Sequence, residues 1–147
     1  MSPLERFLAR LGITPLDRNN ELHARLWEAL KDTGHETHME RLILTRGVLS
    51  RAHEDAALAV GKTRALYETK LRTVKRAQTD AGKSGVAATA VAEAEAQHYR
   101  NQMHEAEAWW RGVKEHLRTV DKDIDKTRSD LVDARQMRAA ETYGGQP

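Results

Sequence analysis

The feature that most constrains this chain is a 3-4 spacing of apolar residues that continues without a slip through its C-terminal half. No proline and a single glycine, Gly112, fall inside the stretch, and Thr127 is its only polar member. The spacing predicts one long helix, from about residue 86 to 142, with a coiled-coil-like seam. A narrow apolar stripe is not stable alone in water, so this helix must pack against another element. The seam positions are Ala92, Ala96, Tyr99, Met103, Ala106, Trp110, Val113, Leu117, Val120, Ile124, Thr127, Leu131 and Ala134.

The segment before it predicts the partner helix. Thr37 with Glu40 matches a capping box, and no proline interrupts the chain from there to about residue 79. The turn signal at residues 80–85 contains two glycines and Ser84, which favours a short link and antiparallel neighbours. A turn near Lys83 places Trp110 opposite Ala56 and Ala57. The seam of this second helix is Leu42, Leu49, Ala52, Ala56, Val60, Thr63, Tyr67, Leu71 and Val74.

Two shorter helices are predicted near the N-terminus. Ser2-Pro3-Leu4-Glu5 combines a capping box with proline at the first helical position. Thr14-Pro15 repeats the device for a second helix, which stops near Asp32-Thr33-Gly34. Neither helix is long enough to stand alone, so we expect both to cover the last helix from Thr127 onward.

The predicted fold is therefore all-α: a long antiparallel helical hairpin, forming a coiled-coil-like stalk, with two short N-terminal helices packed at its base. The predicted domains are residues 1–36 for the short helices, 37–142 for the hairpin and 143–147 for a disordered tail.

Composition limits the function classes. Charged residues make up 31% of the 147 residues and aromatic residues only 5%, which fits long solvated helices better than a thick core. The net charge of +2 does not by itself demand a nucleic-acid or membrane partner. No cysteine is present, and no apolar run reaches the roughly 20 residues of a membrane span. These features, and an excess of arginine over lysine, favour a bacterial or phage protein located in the cytoplasm or in a phage particle.

No motif predicts catalysis, a cofactor or a metal. Gly82-Lys83-Ser84 is similar to the end of a phosphate-binding loop, but Ala77 stands where that motif needs glycine. His35-Glu36-Thr37-His38 offers three metal-binding side chains, but its spacing matches no zinc site. We therefore expect a protein that is not an enzyme.

Positive charge is concentrated towards the predicted hairpin turn. Between residues 62 and 83, seven residues are cationic and only two, Glu68 and Asp80, are acidic. The cationic side chains are candidates to contact nucleic-acid phosphates, and the alternative is that they contact only solvent. Tyr67 is the one aromatic residue among them and belongs to the seam, so base stacking is not expected. The seven residues are Lys62, Arg64, Lys70, Arg72, Lys75, Arg76 and Lys83.

Trp109 and Trp110 are the predicted anchors of packing. Trp110 lies on the seam, whereas Trp109 lies one position off it and is a candidate contact for a second chain. Further apolar residues off the seam suggest that two hairpins pair, because two helices alone make a core only one layer thick. The leading hypothesis is a helical assembly, scaffold or adaptor subunit that forms homodimers and binds another protein. The alternative is a nucleic-acid accessory protein that uses the basic tip.

Overall fold

A computed structural model describes residues 2–13, 17, 19–34 and 36–144. All regular elements in these ranges are helices. They are α1 (Pro3–Arg10), α2 (Glu21–Leu30), α3 (His38–Asp80), α4 (Gly85–Glu95) and α5 (Gln97–Gly144). The long helix α3 packs against α5, so the predicted all-α helical hairpin is confirmed.

The capping boxes form as their sequences predict. At α1, the Ser2 amide donates to the Glu5 carboxylate over 2.7 Å, and the Glu5 amide donates to Ser2 Oγ over 3.1 Å. At α3, the Thr37 amide donates to Glu40 over 2.8 Å and the Glu40 amide donates to Thr37 Oγ1 over 3.2 Å. Each pair satisfies two backbone donors that a helix N-terminus otherwise leaves free.

The predicted start of the second helix is wrong. Asp17 is not helical, and α2 begins only at Glu21, with Asn20 as its N-cap. Asn20 Oδ1 accepts from the amides of Leu22 and His23, which makes it an effective cap. Thr14, Pro15 and Leu16, which carried the prediction, lie outside the described residues.

The turn between the long helices is short, as expected. The Lys83 amide donates to the Gln78 carbonyl over 3.1 Å, and Gly82 has φ +89°. Glycine adopts this left-handed conformation without the penalty of a Cβ, so it suits a helix C-terminus. Ser84 Oγ then accepts from the Ala87 amide and caps α4.

The long C-terminal helix is interrupted once, which the seam did not predict. Ala96 has φ −87° and ψ −1°, and it separates α4 from α5. Its amide still donates to the Ala92 carbonyl over 2.9 Å, and the Arg100 amide donates to the Ala96 carbonyl over 3.0 Å. The hydrogen-bond ladder therefore continues across the irregularity.

Gly112 lies within α5 and does not break it. α5 also includes Tyr143 and Gly144, the first two residues of the predicted tail, and residues 145–147 lie outside the described ranges.

The contacts divide the chain into two compact units. Residues 1–51 and 115–147 form the terminal unit, and residues 52–114 form the middle unit. The boundary predicted at residues 36/37 lies inside the terminal unit.

The terminal unit has a core of large aliphatic side chains. Within it, the predicted antiparallel register places Arg46 opposite Val120, and the structure pairs Arg46 Nε with the next residue, Asp121, over 2.7 Å. Thr45 is buried among the apolar residues, and its hydroxyl donates to the Arg41 carbonyl over 2.7 Å. The buried apolar residues are Phe7, Leu8, Leu11, Ile13, Leu22, Leu26, Leu30, Leu42, Leu49, Val120 and Ile124.

The short helices pack where α3 starts and along the middle of α5. The Phe7 and His38 rings meet edge to face at 5.7 Å, and His116 Nδ1 donates to the Leu11 carbonyl over 3.1 Å. Packing at the base of the hairpin is thus confirmed. The expected cover beyond Thr127 is wrong, because α5 residues 128–143 are exposed except for Ala134, which is half-buried.

The middle unit has a core of a different kind. Its fully buried apolar residues are all alanine or valine, with no larger side chain among them. Small residues allow helices to approach closely, but each buries little apolar surface. These residues are Ala52, Ala56, Val74, Ala88, Ala92, Ala96 and Val113.

His23 should make the terminal unit sensitive to acid. Burial lowers the pKa of His23 from 6.5, nearby His116 lowers it further, and the Asp17 carboxylate opposes this shift. The folded state then binds a proton less readily than the unfolded chain. The contribution of neutral His23 to the free energy of unfolding is therefore fully present above about pH 6.5, and it is lost as the pH falls below that value. We expect His23→Gln to reduce the loss of urea resistance between pH 7.5 and 5.5. Equal pH dependence in His23→Gln and in the exposed-site control His104→Gln would contradict this.

Candidate functional site

The seven cationic residues predicted as a binding surface do not share one environment. Arg64 is engaged: its guanidinium lies 3.3 Å from the Glu107 carboxylate, which also approaches Arg111 at 3.5 Å. Lys70 is half-buried, and the other five residues are exposed. The structure therefore removes Arg64 from the set of freely available cations.

Helix geometry separates the remaining cations. Arg72, Lys75 and Arg76 of α3 are spaced i, i+3, i+4 and so lie on one face. Lys83 follows in the turn before α4. Lys62 lies ten residues before Arg72, about 15 Å away along the helix axis at about 1.5 Å per residue, and Lys70 projects from a different side of the helix than Arg72. We call Arg72, Lys75, Arg76 and Lys83 the tip cluster.

The two adjacent tryptophans differ in their surroundings. Trp110 is half-buried, its ring lies 5.8 Å from the His53 ring, and Lys114 Nζ lies 4.9 Å from its centroid. The indole Nε1 of Trp110 is buried and has no hydrogen-bond partner in the described part of the chain. Trp109 is 36% exposed. Trp110 thus belongs to the packing between α3 and α5 in the middle unit, whereas Trp109 is partly exposed.

A cavity that the sequence did not reveal lies in the terminal unit. It has a volume of about 290 Å³, and Phe7, Trp27, Leu30 and Arg41 are among its lining residues. Arg41 Nε and Nη2 both donate to the Thr33 carbonyl, over 3.0 and 2.9 Å. The guanidinium is therefore held as part of the wall. The lining residues come from α1, α2 and the start of α3, so no local pattern in the sequence could have indicated this cavity.

The described residues contain no arrangement suited to metal binding, since no group of three His, Asp or Glu side chains converges among them. His38, from the motif weighed as a zinc site, packs on Phe7. His35 of that motif lies outside the described residues.

The C-terminal part of α5 is the most exposed helical segment that carries large apolar side chains. We call residues 128–143 the free segment of α5. Each of its large apolar residues has about half or more of its surface exposed to solvent. The exposed fractions are 50% for Leu131, 49% for Val132, 65% for Met137 and 82% for Tyr143. The seam predicts burial of Leu131, but neither α3 nor the short helices reach far enough to cover it.

No known protein family, curated protein or solved structure matches this chain significantly. Among the described helices, none is both long and apolar enough to cross a membrane.

Proposed function

We propose that this protein is a non-enzymatic helical interaction protein, an assembly, scaffold or adaptor subunit of a bacterial or phage machine. The free segment of α5 carries the proposal. It is a helix of sixteen residues in which only Ala134 is half-buried. An isolated helix of this length is marginal in water, and its stability in a protein normally comes from packing of an apolar face. A second helix laid along the free segment would supply that packing.

The first partner proposed is a second copy of the chain. Closed two-fold dimers are the commonest assemblies of soluble proteins, and a helix exposed in one copy is exposed in the other. Pairing of two free segments would cover Leu131 and Met137 on both chains at once. A homodimer formed in this way would still present the rest of its helical surface, including Trp109, to a different protein.

The test is the molar mass in solution, measured by size-exclusion chromatography with light scattering at tens of micromolar protein. We expect the wild type to elute as a dimer and Leu131→Asp/Met137→Asp to elute at the monomer mass of 16.6 kDa. The matched control is Ser129→Asp/Gln136→Asp, which adds the same charge to exposed polar positions of the free segment and should remain dimeric.

A wild-type mass of 16.6 kDa under these conditions would contradict the homodimer. Equal dissociation of the two double variants would show that added charge, and not loss of the apolar contacts, separates the chains. The Trp109→Ala variant is measured in the same way. If this variant is monomeric, the dimer interface lies on the middle unit and not on the free segment of α5.

A further inference from the structure

The positive charge of this chain is unevenly distributed. Residues 69–92, which run from the end of α3 through the turn into α4, contain five cationic residues and one acidic residue, Asp80, for a net charge of +4. The whole chain carries +2, so the remaining residues together carry −2. The weak overall charge therefore hides a strongly basic region at one end of the middle unit.

The tip cluster gathers most of this charge on accessible side chains. Arg72, Lys75, Arg76 and Lys83 are all exposed, and none forms an ion pair with a carboxylate in the described part of the chain. Three cations further from the turn in the same unit are engaged, since Arg64 and Arg111 share Glu107, and Lys114 lies over Trp110. The tip cluster is thus available to an external anion.

The facing helix leaves the approach to these cations open. From Gly85 to Ala92, α4 contains only glycine, alanine, valine and threonine, without a charged side chain. Lys75 lines an open groove with Val86 and Thr89 of α4, and the Glu93 carboxylate lies at the same groove. Glu68 and Asp80, one turn from Arg72 and Arg76, are the other nearby acids. The small neutral side chains of α4 between these carboxylates leave room for an extended polyanion to approach the backbone of α4 closely.

The chemistry of this surface suits a phosphodiester backbone. Arg72 and Arg76 are about 6 Å apart along the helix axis, at about 1.5 Å per residue. Each strand of a duplex carries one phosphate per about 3.4 Å of axis, so the two guanidiniums can meet different phosphates. Tyr67 and Tyr99, the tyrosines on either side of this region, are half-buried, so neither presents a full ring face for stacking on bases. Val86 is the one large apolar side chain exposed near the turn, which is too little for insertion into a bilayer.

We infer that the tip cluster binds the phosphate backbone of nucleic acid without sequence specificity. This inference goes beyond the proposed helical assembly and does not depend on it, because the tip cluster and the free segment of α5 belong to different units.

Fluorescence anisotropy on the full chain tests it, with a labelled 30-base-pair duplex of arbitrary sequence as the probe and salt varied from 50 to 200 mM. Four phosphate contacts predict that the logarithm of the binding constant falls against the logarithm of salt concentration with a slope of about −3 to −4. Replacing all four tip-cluster residues by glutamine should weaken binding at 50 mM salt at least about tenfold and flatten this slope.

The matched control replaces four exposed cations of the terminal unit, Arg6, Arg51, Lys122 and Lys126, by glutamine and so reaches the same net charge. It should bind within about threefold of the wild type. Circular dichroism establishes that both variants keep their helices, as exposed substitutions should.

Three results would overturn the inference. The first is the absence of duplex binding by the wild type at 50 mM salt. The second is an equal loss of binding in the two quadruple variants. The third is tighter binding to vesicles of anionic phospholipid than to the duplex. A second duplex of unrelated sequence tests the absence of sequence specificity. A difference of more than about tenfold between the affinities for the two duplexes would contradict it.

Discussion

Leu26→Ala is expected to destabilise the protein by about 3–4 kcal/mol, which would be a large part of the stability of a domain this size. Leu26 is on the buried face of α2 and has no exposed surface. Removing three carbon atoms there loses their burial and leaves a cavity, because neighbouring side chains relax only partly. The measurement is the free energy of unfolding from urea titration followed by circular dichroism.

Ile43→Ala is the matched control for Leu26→Ala. Ile43 is an aliphatic residue of the same terminal unit but is 53% exposed, so its truncation should cost less than about 1 kcal/mol. A loss in Leu26→Ala as small as the one expected for Ile43→Ala would contradict the assignment of α2 to the core. It would indicate instead that the short N-terminal helices contribute little to the stability of the folded chain.

Ala88→Leu is expected to destabilise the middle unit by about 1–3 kcal/mol, the usual cost of forcing a larger side chain into a packed core. Ala88 is fully buried on α4, and the buried apolar residues of this unit are all alanine or valine. Small side chains let the helices approach closely, so the added atoms must push the helices apart or adopt strained rotamers. The effect should appear as faster hydrogen exchange of middle-unit amides and as a lower midpoint of urea unfolding.

The control for Ala88→Leu is Ala90→Leu, two residues along the same helix at an exposed position. Alanine and leucine have similar helix propensities, so the pair isolates packing from local preference. Ala90→Leu should change stability by less than about 0.5 kcal/mol. If the two variants were equally stable, the close packing around Ala88 would be refuted.

The sequence predicted the parts of the fold that depend on near neighbours. The capping boxes at Ser2 and Thr37, the turn around Gly82 and the inward face of the long helices all follow from side chains within four residues of each other. Of the predicted seam in α4 and α5, every position from Ala92 to Thr127 is buried or half-buried. These features were predictable because backbone hydrogen bonding and helical periodicity are local properties.

The same local logic failed at the start of the second helix and at Ala96. Thr14-Pro15 predicted an early start for the second helix, whereas α2 begins at Glu21 with Asn20 as its N-cap. A capping motif shows that a helix can begin at a residue, but packing of side chains such as Leu22 and Leu26 in the core contributes to where it does begin. The interruption at Ala96 carries no proline or glycine signal at all, so nothing in the sequence distinguishes it from the turns on either side.

The candidate surfaces were only partly predictable. Counting charges found the basic region, but it could not show that Arg64 is held by Glu107, 43 residues away, or that Arg72, Lys75 and Arg76 are unpaired. Periodicity placed Leu131 on the seam, but it could not show where α3 and the short helices end against α5. Exposure depends on what lies opposite a residue, which its own neighbours in the chain do not encode.

The sequence by itself therefore determined that the chain folds into helices, which face of each long helix turns inward and where charge is concentrated, because spacing and residue type decide these locally. Only the tertiary structure decided that the Leu11 carbonyl would accept from His116, a residue 105 positions away, and that the short helices would leave residues 128–143 uncovered. It also decided that large side chains fill one core while alanine and valine fill the other. Contacts of this kind depend on the packing of whole elements, and their free energy is shared among many residues that no local pattern links.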